Sequence, residues 1–313
     1  MTEALRRCRS ITESPPRVLV RQMSDLRKIK SVSSFLKRIR QLRKKWEVRS
    51  GKELWFRGES REYDTPLRPE LYRPAHGSRR IRSTSRLLKV ERHLYEAFQR
   101  LAVQFVPDES RGDDWEWTAY FLMQHHGAPT RLLDWSDGAL MALHFAVRND
   151  QDDDVDAIVY VLEPDSLVSE LTDHHYPKAR QIWRKYVEAH PSLELSPDSD
   201  EDCYIPNRVK LPPSPMVLTY DHLTRRIAAQ RSQFIVFGAD HGWLSDRVSN
   251  DARWIDRIRI DAHHRVLIRQ ELRDSGVTES VIFPDLDGVG RELGILWQDL
   301  RRNGNRANGQ SSD

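Results

Sequence analysis

Residues 138–162 read GALMALHFAVRNDQDDDVDAIVYVL, and this stretch sets the fold class. Gly138 to Val147 carries no formal charge and runs into Arg148-Asn149-Asp150, the pattern of a buried helix whose last turn emerges into an acidic loop. Ala157 to Leu162 is β-branched and aromatic between that Asp-rich loop and Glu163-Pro164, which predicts a strand. A helix handing over to a strand implies mixed layering. The expected fold is therefore α+β: a single mixed α/β domain with a central, largely antiparallel sheet flanked by helices.

Working outward, Trp115 to Met123 reads as a helix that stops near Gly127 and Pro129, residues that end helices for different reasons. Thr84 to Ala102 carries an apolar stripe of Leu87, Leu88, Val90, Leu94 and Phe98 and predicts a second helix. Leu54 to Phe56 predicts a short strand delivering Arg57 into a turn that Gly58 permits. From Ser33, the residues Phe35, Ile39, Leu42 and Trp46 fall on one stripe with Lys and Arg opposite, an amphipathic basic helix. Downstream, Phe234 to Phe237 and Ile255 to Ile260 predict strands, and His264 to Arg273 a helix. The expected organisation is a flexible leader over 1–26, a domain over 27–300 with an exposed acidic and Pro-rich insertion at about 192–215, and a disordered tail over 301–313.

At 313 residues with 38% hydrophobic composition and nine Trp, the chain can bury a sizeable core. Its 50 Lys+Arg against 47 Asp+Glu leave a net charge of +3, so any field strong enough for nucleic acid must come from local clustering. The basic helix at Lys37 to Lys45, continued by Arg79, Arg80, Arg82 and Arg86, is the candidate cluster. Cys8 and Cys203 are the only cysteines, poor material for a disulfide framework or a cysteine zinc site. No apolar run approaches the ~20 residues a membrane span needs, and the N-terminus lacks a secretory apolar core. A cytoplasmic protein with no membrane partner is expected.

The chemistry concentrates in QHHGAPTRLLDWS, residues 124–136, where two His, a Gly, a Pro, an Arg and an Asp precede the buried helix. Together with WFRGES at 55–60 and RIAAQRSQF at 226–234, this stretch resembles the FRG domain, a bacterial and phage-associated family named for its (Phe/Tyr)-Arg-Gly motif. The resemblance runs from about Ser33 to about Asp287. It implies the company of bacterial toxins and anti-phage effectors.

Residue by residue, His125 or His126 is suited to general acid or base work with Asp134 as its orienter, and equally to capping a helix end. Arg57, Arg131 and Arg226 present planar forks that bind phosphate bidentately, or else enter buried ion pairs, for example Arg131 with Asp134. Gln124, Gln230 and Gln233 suit a ribose hydroxyl or a carboxamide as well as buried backbone groups. Adjacent histidines cannot share one metal from a helix, and no metal-ligand spacing occurs elsewhere, so no metal is expected. No Walker loop or Gly-x-Gly-x-x-Gly is present.

The order of the three motifs is also similar to the arginine-clade ADP-ribosyltransferases. That resemblance gives Arg57 to the pyrophosphate of NAD, a hydroxyl within Thr130 to Ser136 to the nicotinamide ribose, and Gln230-Arg231-Ser232 to the third motif; the residues expected to bind the nucleotide are Arg57, Gly58, Thr130, Arg131, Ser136 and Arg226. The third motif's acidic position is occupied by Ser232, so either another acid such as Asp134 or Glu59 serves as the carboxylate, or the pocket binds a nucleotide without transferring it. The expected function is an NAD-binding ADP-ribosyl or glycosyl transfer, with NAD as substrate and no firm cofactor. Two alternatives stand beside it: a nucleic-acid-binding or nuclease-like module using the basic helix, and a non-catalytic interaction domain whose polar motifs are structural. The protein target is not legible.

Overall fold

Six strands form one sheet: β1 (Trp55–Glu59), β2 (Leu132–Ser136), β3 (Ala157–Leu162), β4 (Met216–Leu218), β5 (Ser232–Val236) and β6 (Ile255–Ile260). Their order is β4-β5-β2-β1-β3-β6, and every neighbouring pair is antiparallel. This is a computed structural model, and it describes residues 28–73, 84–102, 104–105, 115–149, 153–171, 214–218, 225–238, 240–250 and 252–308. The leader, most of the acidic insertion, and Cys8 and Cys203 lie outside them.

Ten α-helices accompany the sheet among the described residues. In chain order they are α1 (Val32–Lys45), α2 (Thr84–Ala102), α3 (Trp115–His125), α4 (Ala139–Val147), α5 (Pro164–Glu170), α6 (Arg225–Gln230), α7 (Trp243–Ser249), α8 (Arg265–Asp274), α9 (Glu279–Ile282) and α10 (Leu286–Asn308). The α+β architecture with a central antiparallel sheet is the one the sequence predicts.

Both sheet faces are covered. On one, Phe56, Val159 and Val161 pack with Phe35, Ile39 and Leu42 of α1 and with Ala142, Leu143 and Ala146 of α4. Towards β5 the same face continues as Leu132, Phe234 and Val236 against Phe121 and Met123 of α3. The opposite face gathers Trp55, Leu133, Trp135, Tyr160, Leu162 and Ile235 beneath Leu167, Trp243 and Leu244. Double coverage explains β3, whose six residues are all buried, a continuous apolar run and not an alternation. Each large side chain buried this way stabilises the fold by about 1.5–3 kcal/mol.

Local chemistry sets the helix ends. Ser31 and Ser34 form a capping box at the start of α1, and Arg43, Lys44 and Lys45 fall in its last turn, where they complement the helix dipole. Arg38 and Lys45 reach Asp256 on β6 at 3.2 and 3.7 Å, so part of the basic face is engaged by the edge strand. Of the second basic cluster, Arg86 lies exposed on α2, and Arg79, Arg80 and Arg82 fall outside the described residues.

Two expectations change. Gly58 lies inside β1 and not in a turn: a Cβ there would stand 1.9 Å from the carbonyl oxygen of Ala142 and 2.6 Å from the amide of Ala146. The glycine lets α4 press directly on the strand. At the other end, α10 continues to Asn308, into the stretch expected to be a disordered tail. Leu286, Leu293 and Leu300, each seven residues from the next, carry the helical repeat into that region.

Candidate functional site

The site begins where the sheet opens. β1 pairs with β3 over five residues and β2 with β5 over five, yet β1 and β2 pair only at Phe56 and Ser136. Beyond that point the two strands part, and unpaired backbone groups face the gap. Arg57 fills it: Nη1 donates to the Asp134 carbonyl at 2.8 Å and Nε to Glu59 Oε1 at 3.1 Å. Glu59 also accepts from Arg73 at 3.1 Å. Arg57 therefore bridges the splayed strands.

Over this opening lies a cavity of about 290 Å³, with Asp134, Ser136 and Ser232 in its floor. Gln124 and His125 from the end of α3, Phe145 and Arg148 from α4, Arg226 and Gln230 from α6, and Phe283 beyond α9 complete it. Gly127, at φ +82°, ends α3 with the amide of Gly127 on the Gln124 carbonyl at 3.0 Å and that of Ala128 on Met123 at 3.0 Å. This Schellman closure aims the chain back toward β2 and leaves Gln124 and His125 at the cavity edge.

Asp134 sits at the end of a fixed relay. The amide of Leu132 donates to Thr130 Oγ1 at 3.0 Å, so the Thr130 hydroxyl donates onward to Gln124 Oε1. The Gln124 amide must then present its Nε2, which donates to Asp134 Oδ2 at 2.7 Å. Burial raises the Asp134 pKa from its ordinary value, while Arg57 and the Gln124 hydrogen bond pull it down. The result is a half-buried carboxylate held in orientation at the cavity floor.

His125 lines the cavity and His126 does not; the latter is exposed, with the two rings edge-to-face at 5.3 Å. Burial lowers the His125 pKa to about 4, with Arg226 and then His126 adding to the effect. At neutral pH this ring is an uncharged hydrogen-bonding group. The same two causes, burial and Arg226, lower His126.

The remaining predicted residues separate. Arg131 is fully buried away from the cavity: its Nε meets Glu91 Oε2 at 2.7 Å, and its amide donates to Glu91 Oε1 and the Tyr120 hydroxyl, each at 3.0 Å. Its partner is Glu91 of α2, not Asp134. Thr130 is also fully buried and acts on the cavity only through Gln124. Ser136 Oγ accepts the Gly138 amide at 3.0 Å and donates to the Gln230 carbonyl at 2.7 Å, so its hydroxyl joins β2 to α6. Gln230 Nε2 reaches the Ile282 carbonyl at 3.4 Å.

Sequence reasoning singled out Arg226 but missed Arg148, Arg291 and Phe283, which complete a cation wall with it. The guanidinium groups of Arg148, Arg226 and Arg291 lie 4.8, 4.5 and 4.5 Å from the Phe283 ring centroid. Glu279 accepts from His144 at 3.0 Å and pairs with Arg148 at 3.3 Å and Arg291 at 3.0 Å. Burial pushes the Glu279 pKa up, but His144 and the two arginines outweigh it and bring it down to about 2. Arg226 has only Asp285, at 3.9 Å, and its Nε is buried without a hydrogen-bond partner among the described residues. Three cations thus crowd one ring beside a cavity whose own carboxylate, Asp134, is held by Gln124.

Among the described residues, no three His, Cys, Asp or Glu side chains converge to hold a metal ion, and no helix is long and apolar enough to cross a membrane. An α+β domain with an arginine-walled cleft over splayed strands is the class that fold and site define. Residues 52–155 match the family model of the FRG domain, so the chain contains an FRG domain. The matched span supplies Arg57, Asp134 and Arg148 to the cleft, while Arg226 and Phe283 come from beyond it. No curated protein and no solved structure matches the chain.

Proposed function

We propose that the cleft binds a phosphate-bearing nucleotide, with NAD the candidate, and transfers its glycosyl or ADP-ribosyl group. The observation that carries this reading is Arg226, a cavity-lining arginine whose buried Nε has no partner among the described residues and whose nearest carboxylate is 3.9 Å away. A phosphate oxygen would satisfy that donor, with Arg57 and Arg148 lining the same cavity. Gln124, Gln230 and neutral His125 supply hydrogen bonds suited to ribose and carboxamide groups.

In the transfer step the C1′–N bond to nicotinamide breaks and its electron pair leaves with the ring. A C1′–O bond forms to a hydroxyl of an acceptor or of water, whose proton passes to a carboxylate. Asp134 takes the part of the missing acid opposite Ser232: its charge stabilises the cationic sugar and its oxygen receives the proton. Arg57 opposes the upward shift that burial imposes on the Asp134 pKa. An effector role in toxin or anti-phage defence rests on the FRG resemblance alone.

Calorimetric titration of the purified protein with NAD, ADP-ribose and AMP tests the binding, and mass spectrometry of released nicotinamide tests the transfer. Wild type is expected to bind, with affinity reduced about tenfold or more in Arg226→Ala, the loss of one charged phosphate contact. Asp134→Asn is expected to keep binding and lose nicotinamide release. Absence of binding to all three ligands, or equal binding by Arg226→Ala, would overturn the reading.

A further inference from the structure

A second and larger cavity, about 740 Å³, adjoins the first and shares Arg57, Gly58, Phe145 and Arg148 with it. Six arginines line it against three glutamates, so its walls carry a net positive charge. Glu59 and Glu279, two of the three, are already bound by arginines and leave little acidic character exposed. Arg291 Nη2 is buried here with no hydrogen-bond partner among the described residues. Opposite the cations stands an aliphatic wall. Val266 at the start of α8 is 59% exposed, and Ile295 and Leu296 of α10 are 36% and 48% exposed.

We infer that this second cleft binds an acidic peptide segment carrying aliphatic side chains, such as the surface strand or loop of a partner protein. Two properties select that occupant. Carboxylates match the guanidinium forks of Arg148, Arg273 and Arg291 in charge and planar geometry, and aliphatic side chains match Val266, Ile295 and Leu296. A nucleic-acid backbone matches the first property but leaves the aliphatic wall of Val266, Ile295 and Leu296 in water. The volume lies within the range of sites that enclose a few side chains of a ligand. Its shared partition with the first cavity sets such a peptide beside the Arg57 end of the nucleotide pocket, yet its binding needs no nucleotide.

Fluorescence anisotropy with labelled peptides of about eight residues measures this directly. The probes are an alternating Glu-Leu peptide, its Lys-Leu counterpart, and an oligodeoxythymidylate of similar charge. The full chain is expected to bind the Glu-Leu peptide at micromolar concentration and the Lys-Leu peptide far more weakly. Arg273→Glu, on the surface of α8, is expected to weaken the acidic peptide about tenfold or more, and Leu296→Ser to weaken it by a smaller factor, with unchanged melting temperatures. Arg226→Ala, in the first cavity only, is expected to leave peptide binding intact, which separates failure of this site from failure of the nucleotide reading. No binding of the Glu-Leu peptide, equal binding by both second-cleft variants, or preference for the oligonucleotide would overturn the proposal.

Discussion

Glu91 and Glu279 are both buried carboxylates that hold arginines, yet they organise two different regions of the molecule. Glu91 lies in the core between α2, α3 and β2, and its arginine, Arg131, has no exposed side-chain surface. Glu279 lies on α9 against the cleft, and the side chains of its arginines, Arg148 and Arg291, are 32% and 38% exposed. The same pairing chemistry serves the fold in one place and a surface in the other. Burial of an arginine therefore says little about function; what separates the two is whether the cation keeps a donor facing open space.

The largest effect should come from the core. Arg131→Ala removes the cation from Glu91 and leaves its carboxylate buried with the Tyr120 hydroxyl, an arrangement that costs about 3–5 kcal/mol. We expect a large loss of chemical-denaturation midpoint, or insoluble protein. A stable Arg131→Ala that has lost nucleotide binding would break the comparison, because it would move Arg131 to the site. Glu279 should come next, and its effect depends on pH. Its folded pKa of about 2 lies below the ordinary 4.5, so it contributes stability above pH 4.5 that is lost as pH falls toward 2. That shift corresponds to about 3 kcal/mol. Glu279→Gln should lower the denaturation free energy at neutral pH by roughly that amount and flatten the acid limb between those values. An unchanged acid limb would show that the cleft arginines do not depend on Glu279.

Gly58→Ala should cost about 1–3 kcal/mol, since the new methyl meets backbone of α4 that can move only as a unit. A neutral result, read from thermal melts, would show that α4 does not press on β1. The glycine also illustrates what the sequence makes legible. Its motif marks it as important, but the carbonyl of Ala142 that explains it is brought from more than eighty residues away by the strand-helix packing. β3 and α4 are legible because their burial follows from local pattern. β2 is not: Asp134 and Ser136 interrupt its apolar residues, and its strand character comes from five pairs with β5. Likewise Asp134, His125 and Arg57 stand out by residue type, whereas Arg148 reads as a helix end and Phe283 as an ordinary apolar residue. Only the tertiary fold stacks three arginines on that ring.

The smallest expected effect is the sharpest probe of the cleft side of the comparison. Arg226→Ala should change stability by no more than about 0.5 kcal/mol, because the side chain is partly exposed and its one carboxylate is 3.9 Å away at the surface. Its electrostatic signature should nonetheless be clear at His125. Burial is the main cause of that residue's depressed pKa and Arg226 the next, so removing the cation should raise the His125 pKa from about 4 while burial keeps it below 6.5. An NMR titration of the His125 ring resonances in both proteins measures this. His125→Gln supplies the assignment and Arg131→Lys a control. Because the folded state disfavours the imidazolium, the proton-linked loss of stability on acidification falls between pH 6.5 and about 4 in the wild type. In Arg226→Ala that window should narrow from its acid end. A His125 midpoint that does not move would place Arg226 electrically outside the cavity it lines, and the contrast between the closed core arginine and the open cleft arginine would fail at its open member.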